Sequence, residues 1–256
     1  MQFASLGSGS KGNSSLVRRL DTLLMIDCGY SLKQTLLRLA SLLVEPADIQ
    51  AIVVTHEHSD HISGVARLSK KYQIPVWMSH GTYRACQGAK FDTDFFQIHC
   101  FHPEEVIRIG AINIAPFAVP HDAREPCQLV LHAAGKQLGI LTDTGSITPH
   151  IIASLSDCDA LMLECNYDAA MLANGPYPEA LKQRVGGRLG HLSNQQAADL
   201  LAQIQSDRLK TVVLSHISEK NNTAEKARLA IEAVMGQQQL HVADQLKGFD
   251  WIAIEN

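Results

Sequence analysis

His56-Glu57-His58-Ser59-Asp60-His61 sets three histidines and an aspartate within six positions of a 256-residue chain that has 12 histidines in all. Neutral imidazole and carboxylate are the side chains that hold zinc and similar divalent ions. The stretch follows an apolar run, Ala51-Ile52-Val53-Val54, that reads as a buried strand. On a tight loop leaving that strand, the H-x-H-x-D-H spacing lets His56 and His58 point to one side while Asp60 and His61 reach a second centre. Three further apolar strands run into a metal-type side chain: Phe117-Ala118-Val119 before His121, Ile140-Leu141-Thr142 before Asp143, and Val212-Val213-Leu214-Ser215 before His216. Strand ends opening into loops are where ligands gather in α/β folds. His56, His58, Asp60, His61, His121, Asp143 and His216 exceed the needs of one tetrahedral zinc. They suit two divalent metals that share a carboxylate and leave a position for water. Asp143 is the expected bridge, because a carboxylate has two ligand oxygens and neutral imidazole cannot bridge. His80, His99, His102, His132, His150 and His241 lack this setting and are expected to be structural or exposed.

The elements that must position these residues alternate along the chain. Phe3–Leu6 and Ser15–Arg18 read as strands around the turn Gly7–Asn13, and Leu23–Asp27 as an apolar strand. Ser31 with Gln34 opens a helix carried by Leu36, Leu37, Leu39, Ala40 and Leu43. The spacing predicts a strand at Ala51–Thr55, a helix over Ile62–Tyr72 and a strand at Pro75–Met78. The middle is β-like, with strands at Val106–Ile109, Ile112–Val119, Gln128–Ala133 and Gln137–Thr142. The last part returns to α/β: strand Ala160–Glu164, a helix capped by Ser193 and Gln196 running to about Gln205, strand Thr211–Leu214, helix Thr223–Met235, then strands Leu240–Ala243 and Trp251–Ile254. With no repeat and no linker, residues 1–256 read as one domain of packed sheets with helices outside.

Composition excludes several classes. Hydrophobic content of 46% and charged content of 19% are those of a globular chain. No apolar run approaches the ~20 residues of a membrane span. The opening Met1–Leu6 lacks a secretory pattern, so the expected location is cytoplasmic. The six cysteines form no C-x-x-C pair and read as reduced and semi-buried. A net charge of −4 argues against wrapping nucleic acid by bulk electrostatics, yet a local patch and metal ions can supply the field a nuclease needs.

Taken together, these residues resemble the metallo-β-lactamase-fold hydrolases. His56–His61 matches that family's first metal motif, and His121, Asp143 and His216 follow in the order of the later ones. Ser5–Asn13, Glu164–Asp168, Gly190–Asn194 and Ser215–Asn222 resemble one subgroup, the YycJ/WalJ-type nucleases. The resemblance runs the whole length and implies an α/β, αββα four-layer sandwich with a dinuclear site on the edge between the sheets. It implies phosphodiester cleavage, with 5′-to-3′ exonuclease action on DNA. His58, where flavodiiron relatives carry Glu, favours zinc or manganese over redox iron. Gly190-His191-Leu192-Ser193 is similar to the histidine motif of tRNA 3′-processing relatives, but Leu163-Glu164-Cys165 has no histidine beside the glutamate, which argues against a tRNA-specific role.

The mechanism so implied puts one metal on His56, His58 and His121 and the other on Asp60, His61 and His216, with Asp143 shared. Two metals ~3.5–4 Å apart bring a bridging water to hydroxide near neutral pH for in-line attack on phosphorus. Asp60 is expected to orient the nucleophile. His191 either protonates the leaving oxygen or is a structural residue at a helix start. Ser8 in the Gly/Ser-rich turn, Ser218 and Asn222 are the expected substrate contacts. That turn either offers backbone N–H groups to a phosphate or is a flexible hairpin turn. Lys182, Arg184 and Arg188 form either a phosphate track or a solvated face. The expected partner is nucleic acid, DNA ahead of RNA, and no membrane. Alternatives are a small-molecule phosphodiesterase, an RNA-processing nuclease and a metal-stabilised binding module without turnover.

Overall fold

A computed structural model describes residues 1–88, 94–204 and 206–254. In chain order, the first part gives β1 (Gln2–Gly7), β2 (Ser14–Arg19), β3 (Thr22–Ile26), α1 (Leu32–Ser41), β4 (Ala51–Val53), α2 (Ser59–Ile62), α3 (Val65–Tyr72), β5 (Val76–Ser79), α4 (His80–Gly88) and β6 (Ile98–Phe101). There follow β7 (Ile107–Ile109), β8 (Ile112–Ala118), β9 (Cys127–Ala133), β10 (Lys136–Leu141), α5 (Pro149–Leu155), β11 (Ala160–Glu164), α6 (Ala169–Asn174), α7 (Glu179–Val185), α8 (Asn194–Ile204), β12 (Thr211–Ser215), α9 (Ala224–Glu232), β13 (Gln239–Val242) and β14 (Phe249–Ala253). They build two seven-stranded sheets, ordered β14-β1-β2-β3-β4-β5-β6 and β13-β12-β11-β10-β9-β8-β7. The final strand returns to pair antiparallel with β1.

The apolar runs sort by sheet face. In β3, Leu24 and Ile26 enter a core shared by both sheets, while Leu23 and Met25 join an outer core with Leu39 of α1 and Leu68 of α3. In β11, Ala160 and Met162 face the shared core, while Leu161 and Leu163 pack with Ile151 of α5, Leu201 of α8 and Ile231 of α9. Strands covered on both faces read as unbroken apolar runs for this reason. Each fully buried Leu, Ile or Val contributes ~1.5–3 kcal/mol. The layers are the expected helix–sheet–sheet–helix sandwich.

Both sheets carry a parallel half, β3-β4-β5-β6 and β10-β11-β12-β13. Parallel strands open their carboxyl ends on one side, which brings the loops after β3, β4, β10, β11 and β12 together. Asp27, Asp143 and His216, just past three of those ends, have positive φ angles of 57°, 54° and 52°. Non-glycine residues in that region cost energy and concentrate at functional sites.

Several expected boundaries move. The helix expected over Ile62–Tyr72 is two helices, and α2 begins at Ser59, so Asp60 and His61 lie on a helical turn and not on an open loop. Gly64 separates α2 from α3 because it sits against the Tyr30 carbonyl and Cys28, where a side chain has no room. Helix α1 ends at Ser41, and Leu43 is 95% exposed with positive φ. Helix α9 stops at Glu232, short of Met235. The Ser193–Gln196 box forms, with Ser193 N–H donating to Gln196 Oε1 and Gln196 N–H to Ser193 Oγ; the expected end at Gln205 lies outside the described residues. The sequence pattern predicts neither helices α4 to α7 nor strand β6. The six cysteines are free, five of them buried. Among the described residues no helix is long and apolar enough to cross a membrane.

The docking of α2 is tight. Asn13 N–H donates to Asp60 O at 2.7 Å and Cys28 N–H to His61 O at 2.7 Å. A Cβ on Gly29 would overlap the Asp60 carbonyl. Gly29→Ala must therefore push α2 away, and is expected to cost more than the ~1–3 kcal/mol of ordinary overpacking. A melting temperature within 2 °C of the parent, or about that, would contradict this.

Candidate metal centre

At the converged strand ends, His56, His58 and His121 bring ligand atoms within 4.8 Å of one another, as do Asp60, His61 and His216. Each ring is aimed by its second nitrogen. His121 Nδ1 donates to Gly190 O at 3.0 Å, leaving Nε2 inward, 3.2 Å from His58 Nδ1. His56 Nδ1 meets Thr55 Oγ1 at 3.0 Å, and its Nε2 is buried without any partner. His61 Nδ1 lies 2.8 Å from Asp27 Oδ2, and that carboxylate also accepts from Thr55 N–H and Oγ1. A partner on the far nitrogen fixes tautomer and ring orientation in metal sites.

Asp143 lies between the two groups. Its Oδ2 is 3.1 Å from His61 Nε2, and its Oδ1 is 3.5 Å from His216 Nε2 and 3.9 Å from His121 Nε2. Asp60 Oδ2 is 3.4 Å from His216 Nε2 and 3.6 Å from His61 Nε2. All seven candidate ligands read from the sequence therefore meet at one place. Asn13 joins them: its Nδ2 lies 3.2 Å from Asp60 Oδ2 and 3.0 Å from His61 Nε2, while Gly9 N–H donates to its Oδ1.

The cluster attracts positive charge. Burial alone would raise Asp143, but the His216 and His61 rings hold it well below the usual carboxylate range. Burial would lower His216, yet Asp143, Asp60 and Glu164 push it up to about 10. Burial keeps His56 well below the ordinary imidazole value and lowers His121, so both favour the neutral form that ligates metal. An orphaned buried imidazole nitrogen beside anionic carboxylates is a donor set that fits divalent cations.

His191, expected either as an acid or as a structural residue, lines the cleft over the cluster. Its Nδ1 is 2.7 Å from Glu164 Oε1 and its ring stacks on His216 with centroids 5.2 Å apart. Glu164 is fully buried and also accepts from Thr144 and Leu192 N–H. The glutamate without an adjacent histidine in sequence thus finds one across the fold. The sequence assigns no site role to Asp27 or Asp122 and marks Asn13 and Glu164 only within family motifs; Asp27 and Glu164 do carry the signal used elsewhere, an acid at the end of an apolar strand.

Ser8, Ser218 and Asn222 do not line the cleft. Ser8 Oγ accepts from His216 N–H at 2.8 Å, Ser218 Oγ from Asn221 N–H, and Asn222 is locked to Asn194 and the Cys165 carbonyl. They are buried and hold the backbone that carries His216. The Gly/Ser turn is likewise no phosphate cradle: the N–H groups of Gly7, Ser8, Gly9, Lys11, Gly12 and Asn13 all have protein acceptors, and Ser10 is its one residue on the cleft. Of the three cations in the Lys182–Arg188 segment, Arg184 alone lines the cleft. The six remaining histidines stay outside the metal groupings; His99, for example, stacks on Trp77.

A two-sheet sandwich with a histidine–aspartate cluster at its open edge defines a class of metal-dependent hydrolases. Residues 22–217 match the family described as the beta-lactamase superfamily domain, and the chain belongs to that superfamily. Over nearly its whole length it is similar to exodeoxyribonucleases of the WalJ/YycJ group. It is 34% identical over 251 residues to exodeoxyribonuclease WalJ of Streptococcus pneumoniae serotype 2, covering 97% of this chain and 93% of that protein. It is 33% identical over 252 residues to exodeoxyribonuclease YycJ of Bacillus anthracis, covering 98% and 95%. The crystal structure of the metallo-beta-lactamase fold protein YhfI from Bacillus subtilis superposes with a TM-score of 0.77 at 17% identity, covering 97% of each chain. The fold and subgroup implied by the motifs are thus those of the chain, and it is a metal-dependent hydrolase.

Proposed function

We propose that this chain is a dinuclear phosphodiesterase acting as a 5′-to-3′ exonuclease on DNA in the cytoplasm. The observation that carries the reading is the Asp143 carboxylate, within 4 Å of histidine nitrogens from both triads. Similarity to two exodeoxyribonucleases supports DNA as the substrate. His56, His58 and His121 would hold one zinc or manganese ion and Asp60, His61 and His216 the other, with Asp143 shared. Bound there, such ions activate water as the nucleophile and offset charge on phosphate oxygens. Asp60, steadied by Asn13, orients the nucleophile. His191 donates a proton to the leaving oxygen and regains one from water in the cleft, while the Glu164 carboxylate holds the ring and supports its protonated form.

Cleavage of 5′-labelled and 3′-labelled DNA and RNA, with His58→Ala as control, tests the reading. Stepwise mononucleotide release from the 5′ end of DNA, lost in the variant, is the expected result. Hydrolysis of a simple diester without polymer cleavage would move the assignment to a small-molecule phosphodiesterase. Loading with zinc or manganese is expected to give two ions per chain by mass spectrometry. It should also raise stability, by ~2.7 kcal/mol at a hundredfold excess over Kd. One ion per chain contradicts the dinuclear site.

A further inference from the structure

The cleft over the metal cluster, about 300 Å³, has two unlike walls. One carries His58, Asp60, Asp143, His191 and His216; the other is Tyr177 with Leu181, Arg184 and Val185 of α7. Helix α7 has no buried residue, so core packing does not account for it. Its end is nonetheless fastened to the reacting wall: His191 N–H donates to Val185 O at 2.8 Å and Asp122 N–H to Leu189 O at 2.9 Å.

Arg184 is the only lysine or arginine among the described residues lining the cleft. Its Nε donates to Asp122 Oδ2 at 2.6 Å, yet the side chain stays 63% exposed. The rest of the guanidinium has no protein partner among the described residues. Lys220 Nζ lies 5.7 Å from the centre of the Tyr177 ring. Asp60, Asp122 and Asp143 also line the cleft, so a polyanion entering here meets its one lining lysine or arginine among the described residues on α7. An aromatic and apolar surface bearing a guanidinium matches a nucleotide, which offers a base face for stacking and a phosphate for paired N–H bonds.

We infer that Tyr177, Leu181, Arg184 and Val185 form the subsite for the nucleotide next to the scissile phosphodiester, with the base against Tyr177 and the neighbouring phosphate on Arg184. This rests on the nuclease reading above and names the part of the substrate that the metal cluster does not hold. Asp122 keeps the guanidinium on the cleft lip until the phosphate takes its place. Specificity for a strand over a simple diester then comes from α7.

The test is the ratio of kcat/KM for single-stranded DNA to kcat/KM for bis(p-nitrophenyl) phosphate, which has no neighbouring nucleotide. Arg184→Ala and Tyr177→Ala should each lower that ratio about tenfold or more, through KM for DNA. Tyr177→Phe, which keeps the ring, should hold it within about twofold. The slope of log KM against log salt should flatten by about one in Arg184→Ala. A ratio unchanged in both alanine variants, or equal losses on both substrates, overturns the subsite while leaving the nuclease reading intact. A parent protein that cleaves neither substrate overturns both.

Discussion

Asp143→Ala is expected to abolish turnover and to lower metal affinity by more than the ~10–100-fold typical of losing a residue that merely supports a ligand. The side chain is 2% exposed and faces nitrogens of His61, His216 and His121. Removing it takes away the one group common to both triads. It also withdraws the anion that offsets burial at His61 and His216 and raises their basicity. Asp143→Asn separates the two effects: it keeps the shape and removes the charge, and should lose metal nearly as fully. Ion content by mass spectrometry after dialysis reads the first effect, and diester hydrolysis the second. An alanine variant that still retains two ions at parental affinity would refute the shared-ligand assignment.

His191→Ala is expected to cut turnover on DNA by ~10²–10⁴-fold, the range for losing a general acid, with metal content unchanged. The ring is placed for this role by Glu164, which is fully buried and 2.7 Å from Nδ1. Burial would lower His191, but the Glu164 charge and hydrogen bond raise it above the ordinary imidazole value, which favours the protonated donor form more than in a free imidazole. Glu164→Gln should reproduce much of the loss by withdrawing that support. The discriminating readout is the leaving group. A p-nitrophenyl ester departs without needing a proton, so His191→Ala should be far less impaired on it than on DNA. Equal impairment on both substrates would assign the histidine to positioning alone.

The candidate ligand set was readable because each member follows an apolar strand; parallel strands deliver all but His121, which follows the antiparallel β8, to one edge. What the sequence hides is the partner on the far nitrogen. Asp27 and Glu164 close strands far in sequence from His61 and His216, and only the pairing of β3 with β4 and of β11 with β12 makes them neighbours. Ser8, Ser218 and Asn222, expected at the substrate, lie off the cleft lining for a reason the sequence also hides. A polar side chain near a ligand can face the cleft or bind its own backbone, and local pattern does not distinguish the two. Helices α6 and α7 were missed because they are short and bury almost nothing, so no apolar period marks them. The break between α2 and α3 is tertiary in origin, set by Gly64 against Tyr30.

The candidate ligands are shared between the sheets. His56 follows β4 of one, while His121, Asp143 and His216 follow β8, β10 and β12 of the other. An ion bound there is a cross-link between residues far apart in the chain, formed only after the two sheets have docked. A fragment ending before His216 lacks the complete site, so during synthesis capture of metal reports the last step of assembly and not the first. In the finished protein the same cross-link must open before the sandwich can. Chelation should therefore speed unfolding as well as lower the melting temperature, and metal exchange from the closed protein should be paced by the parting of the sheets.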